Sequence, residues 1–125
     1  MNRSTLAALA LPLLLTGCGA TSTTDVSTGC FTFSQAVETY VSNYSAIAAG
    51  TATDADIVKA YGDIADKLNV TAELVPTGKL HDLASSGALD AGRVRVAVTG
   101  GQTDPLDVKA LDDALQAAQP LCKGA

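Results

Sequence analysis

Between Cys30 and Cys122 the apolar residues recur at helical spacing in four successive segments, and this periodicity constrains the fold more than any other feature. Phe33, Val37, Tyr40, Tyr44 and Ile47 are three or four residues apart, which is one stripe of a 3.6-residue period. Ile57, Tyr61, Ile64, Leu68, Ala72 and Val75 form a second stripe, and Val108, Leu111, Leu115 and Ala118 another. Punctuation agrees with the periods. Gly50 stands where a left-handed C-terminal residue belongs, Thr53 is a good N-cap, and Pro76 forces its predecessor out of the α region. Asp104-Pro105 is a favoured helix entry and Pro120 a stop. The spacing predicts helices over 33–49, 53–75 and 105–119. Thr32 and Gln35 resemble a capping box at the start of the first.

The segment between them admits two readings. Leu80, Ala84, Gly87, Ala91, Val94 and Val98 keep helical spacing, although Gly87 and Gly92 each cost about 1 kcal/mol relative to Ala. Arg93 to Thr99 also alternates as a strand would, with Val at positions 94, 96 and 98. A lone strand has nothing to pair with, and no second strand-like run exists, so a helix is the expectation. Four helices joined by short breaks at 50–53, 76–78 and 100–104 predict an all-α, up-down-up-down four-helix bundle. An even number of antiparallel helices returns the chain to its starting end. Cys30 and Cys122 would then meet, and a disulfide between them would close a loop of about 93 residues, worth roughly 4.7 kcal/mol in the chain-entropy model.

The N-terminus carries a different signal. Leu6 to Leu15 is an apolar run of ten residues following Arg3. As a helix it would be about 15 Å long, half the depth of a bilayer core, so it reads as the apolar region of a signal peptide covering 1–17. Directly after it, Leu15-Thr16-Gly17-Cys18 resembles the lipobox of bacterial lipoproteins. That resemblance implies cleavage before Cys18, acylation of its thiol, and anchoring on the outer face of the cell membrane. The alternative is an ordinary secretory cleavage near Ala20, which would discard Cys18. Residues 19–29 are small and polar and read as a flexible tether with a coil span near 18 Å, holding a domain of residues 30–125 off the membrane. The whole layout is similar to small lipoproteins of high-GC Gram-positive bacteria, with a lipobox, a polar tether and an Ala-rich helical domain. An exported protein sits where disulfides persist.

Composition excludes some functions. The net charge is −5, and becomes −6 once Arg3 leaves with the leader, which argues against a nucleic-acid partner. His81 is the single His, so neither a His-based metal site nor a Ser-His-Asp or Cys-His centre can be assembled around more than one imidazole, and it reads as a solvent-facing helix residue. Asp54, Asp56, Asp104 and Asp107 suit helix caps and first turns, Asp112 and Asp113 a solvated face, and no calcium-loop pattern is present. Neither a metal nor a cofactor is expected. All five aromatics, Phe31, Phe33, Tyr40, Tyr44 and Tyr61, fall within 31–61. They read first as the bulk of the core, and second as a groove in which Tyr40, Tyr44 and Tyr61 touch a ligand or partner. The expected function is a non-enzymatic interaction module at the cell surface, docking a protein partner at the outward loops 50–53 and 100–104. The alternative is a carrier holding a small apolar or lipid ligand within the bundle.

Overall fold

A computed structural model describes residues 23–101 and 105–123. The leader, Cys18 and the Asp104 cap lie outside them. Helix α1 is Thr23–Ala48, α2 Asp54–Leu74, α3 Lys79–Thr99 and α4 Pro105–Ala118, and a 3-10 turn follows at Gln119–Cys122. No strand occurs among the described residues. The all-α bundle expected from the four stripes is the fold, and Cys30 and Cys122 are disulfide-bonded with their Cα atoms 5.4 Å apart.

The first helix departs from expectation at its start. Residues 23–29, read as the C-terminal part of a flexible tether, belong to α1. Two local facts explain the extension. Val26 continues the Phe33–Tyr40 stripe by seven residues and packs against the core. Gly29 lets α1 approach the end of α2 closely, since a Cβ there would lie 2.5 Å from Val75 Cγ2. Thr32 is therefore mid-helix rather than a cap, and its hydroxyl donates back to Thr28 O at 3.2 Å. A polar segment such as 23–29 can still be helix, because a helix end needs only one apolar side and one small residue to dock.

Helix α2 begins with a full capping box. Thr53 Oγ1 accepts from the Asp56 N–H at 3.1 Å, and Asp56 Oδ2 accepts from the Thr53 N–H at 3.0 Å. The Thr53 backbone bond is the main reason the Asp56 carboxyl is held below the usual carboxylate range. Gly50 takes the left-handed conformation expected of it, with φ +73°.

Helix α3 resolves the helix-or-strand ambiguity. A strand would place Val94, Val96 and Val98 on one face. Here Val94 and Val98 are 1% and 7% exposed, whereas Val96 is 68% exposed. All six stripe positions from Leu80 to Val98 are buried. In α4, Leu111, Leu115 and Ala118 are buried and Val108 packs at the margin.

The centre of the bundle is filled by Ile64, Leu68, Val94, Leu111 and Thr71, all almost fully buried. Thr71 is tolerated there because its hydroxyl donates to Lys67 O at 2.9 Å, with Gly29 O also within 3.4 Å. Helix α1 packs on α2, α2 on α3, and α3 on α4. Helices α1 and α4 come less close than the other neighbouring pairs and meet through side chains, with Phe33 and Tyr40 sharing the core with Leu111 and Leu115, so a cleft is left along this side of the bundle. No described helix is long and apolar enough to cross a membrane.

Candidate functional site: the open α1–α4 side

Two bridges span the open side. At one end the Cys30–Cys122 disulfide joins the early part of α1 to the turn after α4. Ten residues further along α1, Tyr40 Oη donates to Asp112 Oδ1 at 3.2 Å. The pairs 30 with 122 and 40 with 112 advance in opposite directions, as antiparallel helices require. Asp112 was read as part of a solvated face. It is instead half-buried and bonded twice, its Oδ2 accepting from Gln116 Nε2 at 2.6 Å. Burial, and then the Asp112 charge and hydrogen bond, push the Tyr40 hydroxyl well above the ordinary tyrosine range, so Tyr40 stays a neutral donor.

Beside this bridge the helices leave a cleft of about 520 Å³, lined by Tyr40, Val41, Tyr44, Ser45, Val108, Lys109 and Asp112. That volume is within the range of small-ligand clefts. Val41 and Tyr44 are 55% and 60% exposed at its edge. The Tyr40 and Tyr44 rings stand 6.2 Å apart with a 40° tilt. Lys109 is tied to Asp113 at 2.9 Å, which holds its ammonium above the usual lysine range. The cleft is thus an apolar floor whose polar groups are mostly engaged with one another.

A second depression of about 650 Å³ lies at the disulfide end, where Ser27, Phe31, Val37, Glu38 and Lys123 surround the bridge. Phe31 is 65% exposed there.

The aromatic set therefore divides. Phe33, Tyr40 and Tyr61 are buried, while Phe31 and Tyr44 are exposed. Of the three tyrosines read as contact residues, Tyr40 and Tyr44 line the cleft together. Tyr61 does not; it is 3% exposed in the core, where burial raises its hydroxyl above the ordinary range. Ile47 shares the Tyr40 stripe yet is 45% exposed. Tyr44 is exposed at the edge of the α1–α4 cleft.

His81 was read as a solvent-facing residue. It is half-buried, and its Nδ1 lies 2.9 Å from Ala72 O and 3.1 Å from Val75 O. Both neighbours are acceptors, so Nδ1 carries the proton and donates. The imidazole thereby satisfies carbonyls at the open end of α2 and pins the α2–α3 turn. A polar residue two positions into a helix, just after a proline stop, was the available signal. Among the described residues no group of three His, Cys, Asp or Glu is placed to hold a metal ion.

No protein family, curated protein or solved structure matches this chain.

Proposed function

We propose that this protein is a lipoprotein anchored to the outer face of the cell membrane through acylated Cys18, and that its bundle is a non-enzymatic interaction module. The observation that carries the second half is the open α1–α4 side. Three helix interfaces are close, while α1 and α4 leave an apolar cleft between them, with Val41 and Tyr44 exposed at its edge. Tyrosine beside aliphatic carbon is an efficient contact surface. Tyr40, Asp112 and Lys109 are bonded to neighbours, which suits a contact surface better than a reaction centre. The cleft runs toward the loop at 50–53, so docking is along the side of the bundle near that end rather than at the loops alone.

Two measurements test this reading. Mass spectrometry of the mature chain should find diacylglyceryl on an N-terminal Cys18. A photo-crosslinking amino acid at position 44 or 41 should give one discrete adduct in intact cells, whereas the same group at Val70 or Leu89, both exposed elsewhere, should give none. Equal labelling at all four positions would refute a specific contact surface. An adduct with the mass of a lipid would favour the carrier reading.

A further inference from the structure

The corrected start of α1 changes how the domain must sit on its membrane. Only residues 19–22 separate Cys18 from the helix that begins at Thr23. Five Cα–Cα steps span at most about 18 Å, even fully extended. About 6 Å of that is consumed by the headgroup layer, if acyl chains hold Cys18 at the edge of the hydrocarbon. The first turn of α1 is therefore within about 12 Å of the lipid surface, less than the roughly 13 Å radius of gyration of a domain this size. Phe31 is eight residues on, about 12 Å along the helix. A lean of the bundle suffices to bring it down.

We propose that the Cys30–Cys122 end of the bundle rests on the bilayer surface through Phe31 and Leu121. This rests on the reading of Cys18 as the anchor. The two residues sit next to the two cysteines of the bridge and are 65% and 38% exposed. They are an exposed aromatic and an exposed aliphatic side chain at the end from which the anchor leaves, the placement that interfacial side chains favour. Lys123, exposed in the same depression, supplies a cation toward anionic headgroups. Glu38 also lines that depression, about 10 Å beyond Phe31 along α1. Tyr44 is about 20 Å beyond Phe31 on the same helix, at the part of the cleft farthest from the anchor.

The chain contains no Trp, so a single introduced Trp reports alone. The full-length protein carrying Phe31→Trp, and separately Leu121→Trp, is expressed with its leader, and the processed form is reconstituted into phosphatidylcholine–phosphatidylglycerol vesicles. Brominated acyl chains should then quench both Trp emissions about two-fold, as expected of side chains at the interface, while Tyr44→Trp is unchanged. Far-UV circular dichroism verifies that each variant keeps its helix content. Unquenched Trp at 31 and 121 in protein whose Cys18 carries acyl chains would overturn the bilayer contact and leave the anchor standing. Absence of acyl chains on Cys18 would overturn both.

Discussion

Gly29→Ala is the sharpest test of how α1 begins. Within a helix this substitution ordinarily gains about 0.8–1 kcal/mol, because Ala loses less backbone entropy. At position 29 the new Cβ would stand 2.5 Å from Val75 Cγ2. Carbon atoms pack best at about 3.5–4.0 Å, so the overlap is about 1–1.5 Å. Val75 is β-branched and buried, and cannot swing its methyl away without leaving its preferred rotamer or moving the chain. Overpacking of this kind costs roughly 1–3 kcal/mol, which outweighs the propensity gain and leaves a net loss near 1 kcal/mol. For a domain of this size that lowers the melting temperature by about 4–8 °C. Gly92→Ala is the matched control: nothing lies within 4 Å of its Cβ position, so it should raise the melting temperature. Thermal unfolding followed by circular dichroism reads both. In a Val75→Ala background the penalty at Gly29 should vanish, with a coupling of about 1–2 kcal/mol. A Gly29→Ala protein as stable as its parent, or more so, would refute the docking of 23–29 against α2.

Two further outcomes follow from the bridges of the open side. Reduction of the disulfide, or Cys30→Ser with Cys122→Ser, should cost up to about 4.7 kcal/mol given the 92-residue separation, and an unchanged melting temperature under reductant would contradict this. Tyr40 gives a pH signature. Its hydroxyl ionises at higher pH when folded than when unfolded, so its stabilisation is complete below the unfolded value of about 10 and is lost as pH rises through the folded one. Urea midpoints should fall more steeply from about pH 9 to 11 in the parent than in Tyr40→Phe, and parallel profiles would show that Tyr40 does not contribute.

The number and order of the helices, most of their apolar faces and the Cys30–Cys122 pairing were legible in the sequence because each rests on local or topological rules. Stripes of period 3.6 mark buried faces whatever the neighbours are, and an even helix count brings the chain ends together. The Thr53 cap was legible for the same reason. The α3 segment needed one tertiary argument, the absence of a strand partner, to choose correctly between two local patterns.

What stayed hidden depends on distances between helices. Tyr40 and Tyr44 share a stripe and a residue type, yet one is 7% and the other 60% exposed. Periodicity states which side of α1 faces inward but not whether α4 arrives to cover it. Asp112 and His81 looked like surface residues until packing brought an acceptor or donor to each. Polar composition makes 23–29 look like tether, whereas Val26 packing on the core and the approach of Gly29 to Val75 dock it as helix. The sequence by itself determined the helices, the faces they bury and the crosslink. The tertiary structure alone decided that α1 and α4 leave a cleft between them and that the first helix starts at Thr23, since both depend on contacts made far apart in the chain.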